Sequence, residues 1–324
     1  MDGNDIPPAV HVASIADPDL LAAALRDAQV EYLRLAPTPF TATLTAIDLG
    51  PVRVQLAADH AHIARGQVGA DQSMLLTAID VPDGGTQVNG VAVRTGDTIH
   101  LGAGAPIFAR VLDPIRWAAV SFHADRLQAA MPEESLPRDG DFLHRRHGAG
   151  HAALARFVEE AGRLAARDPA RLALASVRRS MGEDALRLAC AVVAHPVQKD
   201  AAHRAVRRRV VLVAQAEEVL SARLGAPLYS DDLQQALGVP MRTLHNAFVA
   251  VHAMSVHRYL RLRRLHLARA ALRAGNGSVS HVKIAALSHG FWHLGRFAQE
   301  YRDLFGELPS QTMAQGHSVL PGDP

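Results

Sequence analysis

The sequence predicts a multidomain α+β protein: an N-terminal β-barrel or sandwich, a helical connector, and an all-α C-terminal domain with two helix-turn-helix units. Three observations predict it. Short apolar runs broken by Gly, Pro and Asp fill the stretch from Phe40 to Val120, which is the spacing of a barrel or sandwich. Helix formers take over after Asp139. Beyond residue 200, two glycine-turned helix pairs flank a long arginine-rich helix. A length of 324 residues is enough for two separate cores.

The strand runs are TATLTAIDL, VRVQLA, MLLTAIDV, VAVRTGDTIHL and IRWAAVSF, with Gly96 and Asp97 as the turn inside the fourth. Ala152 to Ala166 and Leu172 to Ala194 then read as an α-hairpin interrupted by Asp168 and Pro169. It serves either as a dimer contact or as a cover over the barrel. Pro196 to Ala202 reads as a linker. Arg207 to Arg209 precede an amphipathic helix running to about Leu224, and either touch phosphate or solvate the helix start.

In the first helix pair, Ser230 is the expected N-cap before Asp231 and Asp232, whose charges suit the positive end of the helix dipole. Gly238 turns the chain. Pro240 to Val251 forms the next helix, with Leu244, Phe248 and Val251 inward and Arg242, His245 and Asn246 outward. In the second pair, Gly290 turns the chain into a helix whose inward face is Phe291, Leu294, Phe297, Tyr301 and Phe305. Its outer face carries His293, Arg296 and Gln299. Arg and Gln form paired hydrogen bonds with guanine and adenine edges, so this face is equipped to read a major groove. Between the pairs, Val256 to Ala274 buries Tyr259, Leu262, Leu265, Ala268 and Leu272. It is expected to expose Arg258, Arg261, Arg263, Arg264, Arg269 and Arg273.

The segments RTLHNAF, YLRLRRL and GFWHLGRFAQEYRDLFGELPSQT, in that order and spacing, resemble the DNA-binding domain of the AraC/XylS family of bacterial transcription regulators, and its XylS-like branch most. The resemblance covers Leu228 to Ala314. It implies that two recognition helices enter successive major-groove segments of double-stranded DNA about 34 Å apart. It places DNA contacts on Arg242, His245 and Asn246, and on His293, Leu294, Arg296 and Gln299. Pro240 and Met241 replace the usual Ser-Pro helix start, removing a cap worth about 1 kcal/mol. Met254, Ser255 and Val256 stand in place of a Gly-Ser-Pro type turn, and Ala285 in place of a larger aliphatic residue.

QVNGVAVRTGDTIHLGAGAPI, Gln87 to Ile107, resembles the strand-turn-strand of the cupin-like sensor domain that precedes this DNA-binding domain in XylS-type regulators. The implied domains are a cupin-like β-barrel at 1–140, a helical connector and possible dimerisation element at 141–200, the DNA-binding domain at 201–316 and a tail at 317–324. The implied partners are DNA, RNA polymerase, a second copy of the chain and a small effector of the aromatic-carboxylate type. A carboxylate needs a donor inside the barrel. Arg53, Arg65 and Arg94 are the candidates, Arg65 foremost.

The remaining chemistry is sparse. His60 and His62 alternate as cupin metal ligands do, but no Glu follows at short spacing and no partner His is evident, so no metal and no cofactor are expected. Cys190 lies in an apolar helix, and one cysteine excludes an intrachain disulfide framework. No signal segment occupies Met1 to Leu20 and no run is long enough to span a membrane, so a cytoplasmic protein is expected. The region 201–316 carries 15 Lys and Arg against 7 Asp and Glu, while the whole chain is only +2. Phosphate contacts from such a domain make affinity fall with salt. The expected function is therefore a sequence-specific, effector-controlled transcription regulator, an activator rather than an enzyme. The alternatives are a regulator with a ligand-free barrel controlled by a protein partner, and a cupin-type metalloenzyme with an appended DNA-binding domain.

Overall fold

The computed structural model describes residues 9–129, 131–145, 149–194, 200–223, 227–274 and 279–316. The predicted tail, and linker residues 195–199, lie outside this set. The chain divides into two compact units, Met1–Tyr32 with Phe40–Arg204, and Leu33–Pro39 with Ala205–Pro324.

The first unit contains two antiparallel sheets. The larger is built from β1 (Val10–Ile15), β3 (Ala42–Asp48), β4 (Val52–Asp59), β11 (Ile115–His123), β6 (Gln72–Asp80), β9 (Thr98–Leu101) and β12 (Phe142–Arg145), in that spatial order. The smaller runs β2 (Ala28–Arg34), β5 (His62–Val68), β10 (Pro106–Val111), β7 (Thr86–Val88), β8 (Val91–Ala92). This two-sheet architecture matches the barrel or sandwich read from the alternating runs. Two helices, α1 (Pro18–Ala24) and α2 (Ala124–Gln128), fill connections. β2 approaches β5 so closely that a Cβ at Gly66 would stand 1.9 Å from the Gln29 carbonyl oxygen, which reserves that position for glycine.

The Gly96-Asp97 turn forms as read, with Gly96 at φ +88° and the Asp97 carboxylate accepting from the Arg94 amide at 3.1 Å. It does not close a hairpin, however. Its flanking strands β8 and β9 lie in different sheets, so the turn carries the chain across the sandwich. The hairpin is instead β7–β8, closed by Asn89 and Gly90, both with positive φ. The buried Asn89 side chain ties that hairpin to β10 by accepting from the Phe108 amide and donating to the Pro106 carbonyl, each at 2.9 Å.

Helices α3 (Ala149–Arg167), α4 (Pro169–Ala173) and α5 (Ala175–Val193) share a core with the larger sheet. Leu154, Val158, Ala185 and Ala189 pack with Val52, Val54, Val120 and Phe122. Because side chains alternate along a strand, β4 turns Val52 and Val54 to these helices and Gln55 to the space between the sheets.

The second unit is helical: the later part of α6 (Ala201–Ala222), then α7 (Ser230–Leu237), α8 (Met241–His252), α9 (Val256–Arg273), α10 (Val279–Ser288), α11 (Leu294–Phe305) and α12 (Pro309–Gly316). α6 starts earlier than its sequence indicated. Asp200 accepts from the His203 amide at 2.9 Å, so the helix is capped there and Arg207 to Arg209 lie inside it rather than before it. α9 is the axis of the unit, in contact with α7, α8, α10 and α12. No helix among the described residues is long and apolar enough to cross a membrane.

Candidate nucleic-acid interface

The first helix pair is α7 and α8. Tyr229, not Ser230, is the N-cap of α7: the Asp232 carboxylate accepts from the Tyr229 amide at 2.8 Å. Ser230 is instead buried in the first turn, where its hydroxyl shares a 2.7 Å hydrogen bond with His257 Nδ1 on α9. Gly238 then takes φ +63° and donates its amide to the Gln234 carbonyl, ending α7 as a left-handed glycine cap does. α8 starts at Pro240 without any side-chain cap. It buries Leu244, Ala247, Phe248 and Val251 and exposes Arg242, His245 and Asn246 together. Its last turn is tied to α9 by His252, whose ring stacks on Tyr259 with centroids 4.4 Å apart. The following turn keeps its own cap, because Ser255 Oγ accepts from the Arg258 amide at 3.2 Å.

The second pair is α10 and α11. Gly290 has φ +77°, and a Cβ there would lie 2.8 Å from Tyr229 Oη and 2.9 Å from both Arg264 Nη1 and Pro227 Cβ. Conformation and space both demand glycine. Phe291 packs in the turn, and Phe297, Tyr301 and Phe305 follow in one aromatic column on α11. Leu294 departs from the inward reading: it is 40% exposed and joins His293, Arg296 and Gln299 on the outer face. The indole of Trp292 is more exposed still, at 69%. Periodicity did not mark it, because Trp292 precedes the helix.

The outer face of α11 is ordered before any ligand arrives. Arg296 Nε donates to Glu300 Oε1 at 2.9 Å, and Gln299 Nε2 donates to Asp303 Oδ1 at 2.7 Å. Glu300 also takes a bidentate grip from Arg261 of α9, with Nε to Oε2 at 2.6 Å.

The expected exposed arginine face of α9 is largely used inside the unit. Arg263 is buried, donating to Glu217 Oε2 at 2.7 Å, and Glu217 also accepts the Tyr259 hydroxyl. Arg264 lies over the rings of Tyr229 and Phe291, at 4.8 and 5.5 Å. Burial lowers its pKa from the usual arginine value. Arg269 donates to Glu307 at 3.0 Å and covers Phe305. Amphipathic arginines do this because their stems and planar heads bury well once paired. Arg258 remains exposed.

The barrel holds a cavity of about 90 Å³ between its sheets, walled by apolar side chains that include Val30, Ala64, Leu76 and Ile107. None of the three expected arginines lines it. Arg65 points with Glu31, its ion-pair partner, to the face of the smaller sheet opposite Ala64, because residues 64 and 65 alternate. Arg53 sits at the end of β4, bonded to Asp27. Arg94 is 75% exposed beside Asp83. Arg26 is the arginine that reaches the wall. His62 also lines the cavity, whereas His60 stands in the turn before β5, so the two do not alternate along one strand. Nearby, burial raises the Asp59 carboxyl above its usual pKa, opposed by His62 and by the Trp117 N–H.

Comparison with known proteins places the helical unit. A family model described as a helix-turn-helix domain matches residues 233–315. The XylDLEGF operon transcriptional activator of Pseudomonas putida is 43% identical over 74 residues, which are 23% of this chain and 23% of that protein. The probable thc operon regulatory protein of Rhodococcus erythropolis is 31% identical over 102 residues, 32% of this chain and 31% of that one. The match thus spans about a quarter to a third of the length of these curated relatives. Among solved structures, the AraC-like transcriptional activator CuxR aligns with 80% of this chain and 90% of its own at 16% identity and a TM-score of 0.37. A probable AraC family transcriptional regulator from Rhodopseudomonas palustris aligns over 32% of this chain and 96% of its own, at 35% identity and a TM-score of 0.29. Residues 233–315 thus form a helix-turn-helix domain, with two turned helix pairs, that is similar to the corresponding part of these transcription regulators.

Proposed function

We propose that the protein activates transcription from specific promoters, with α8 and α11 reading adjacent major-groove segments and the barrel cavity receiving a small effector. The observation that carries the DNA assignment is the paired outward display. Arg242, His245 and Asn246 project from one glycine-turned helix, and His293, Leu294, Arg296 and Gln299 from the start and outer face of the other. Arginine suits guanine O6 and N7, asparagine and glutamine suit adenine, and an exposed leucine suits the thymine methyl. Effector binding shifts the sensor between states that differ in contact with a second copy or with RNA polymerase.

A mobility-shift assay on the operator tests the reading. Arg296→Ala is expected to weaken operator binding by about 10- to 100-fold while leaving weak, salt-sensitive binding to unrelated DNA unchanged. Equal loss on both DNAs would reassign Arg296 to phosphate contact. The aromatic-acid expectation depended on an arginine inside the barrel. With Arg53, Arg65 and Arg94 outside the cavity, effector chemistry is better read from the wall itself.

A further inference from the structure

We propose that the barrel cavity selects a small uncharged molecule, a single ring or less, bearing one hydroxyl or carbonyl that bonds to Thr86. The inference rests on the barrel being the effector site and adds the chemistry of the effector.

It follows from where most of the polar groups on the wall are committed. Gln55 is closed onto the backbone of Arg26, accepting from its amide at 2.9 Å and donating to its carbonyl at 3.1 Å. His62 Nδ1 donates to the His60 carbonyl at 2.6 Å. The Thr77 and Thr98 hydroxyls bond each other at 3.1 Å. Trp117 Nε1 donates to Asp59 at 3.0 Å. Arg26 Nη1 donates to the Ala23 carbonyl at 2.7 Å, so the guanidinium serves the C-terminal end of α1.

Thr86 differs from all of these. It is 5% exposed, it lines the cavity, and its Oγ1 has no hydrogen-bond partner among the described residues. A buried hydroxyl without a partner is destabilising, and natural proteins keep few of them. Here a ligand would satisfy it. A hydroxyl both donates and accepts, so it can meet an alcohol, a phenol or a ketone. A carboxylate would bring its charge to a neutral hydroxyl in a largely apolar wall and forfeit most of its hydration. The volume of about 90 Å³ is below the roughly 150 Å³ of an engineered apolar cavity that accepts benzene, which limits the occupant to one small ring with slight expansion.

Calorimetry and thermal unfolding of the full chain with phenol, toluene and benzoate test this. Phenol is expected to bind about tenfold more tightly than toluene, and benzoate more weakly than either. Thr86→Val should erase the preference for phenol over toluene and leave the ligand-free protein as stable as before or more so. Benzoate binding as tightly as phenol would overturn the uncharged assignment while leaving the barrel as the effector site. A marked fall in ligand-free stability on Thr86→Val would also overturn it, since Thr86 would then have a partner already. If none of the three probes binds and the cavity-filling change Ala109→Leu leaves operator binding unaltered in a folded protein, the effector-site reading itself fails.

Discussion

The two helix pairs of the C-terminal unit obey one plan but are held differently. Both turn on a left-handed glycine, Gly238 or Gly290, and both bury one face of the following helix. α11 is fastened by an aromatic column beneath and by Arg261, Glu300 and Arg296 beside it. Neither helix has a side-chain N-cap, but α11 ends on Gly306 whereas α8 ends on Ala253 at φ +51°, a conformation that alanine adopts at a cost. The difference teaches that the same motif can present one rigid reading surface and one looser one within a single unit. α11 is the better candidate for fixing register on DNA, with α8 tolerant of sequence.

The largest effect that would break this comparison is on the shared scaffold. Glu217→Ala removes the partner of buried Arg263 and of the Tyr259 hydroxyl, and should cost about 3–5 kcal/mol in urea unfolding. A cost below about 1 kcal/mol would show that the pair is not a strut. Gly290→Ala comes next: a positive φ and contacts under 3 Å predict a loss of roughly 2 kcal/mol or more, against about 1 kcal/mol for Gly238→Ala, where the space is open.

On DNA, Arg296→Ala should weaken operator binding by about 10- to 100-fold, the range of one bidentate base contact. His245→Ala should weaken it less. The reverse ranking in a mobility-shift assay would move the register-fixing role to α8. The smallest effects should be gains. Ala253→Gly relieves the left-handed alanine and Pro240→Ser restores a cap, each adding about 0.5–1 kcal/mol to thermal stability. If neither stabilises, the looseness of α8 lies elsewhere.

Much of the reading surface was legible because its causes are local. A glycine between two apolar-periodic stretches marks a sharp turn, and spacings of three and four place Arg242, His245, Asn246, Arg296 and Gln299 on outer faces without knowledge of the rest of the fold. Leu294 fell on the boundary of the stripe, where periodicity alone cannot choose a side. The arginine face of α9 misled for the opposite reason. Its partners Glu217, Glu300 and Glu307 are 46, 39 and 38 residues away, so the charges look unopposed along the chain and are matched across it. Steep salt dependence should therefore come from fewer arginines than the local charge implied.

The barrel shows the same divide. Alternation marked about half of its strands, yet a strand carries no sign of which sheet it will join. The Gly96-Asp97 turn, read as joining two strands, does so across the sandwich, because those strands lie in different sheets.

By itself the sequence determined the kind of structure in each region, the two glycine turns and the outward residues of the two turned helices, since these depend on contacts within a few residues. Only the tertiary structure decided which arginines are spent on internal carboxylates, which face of β5 Arg65 occupies, and that the Thr86 hydroxyl finds no partner among the described residues. Those outcomes depend on groups far apart in the chain meeting in space, and no local pattern encodes them.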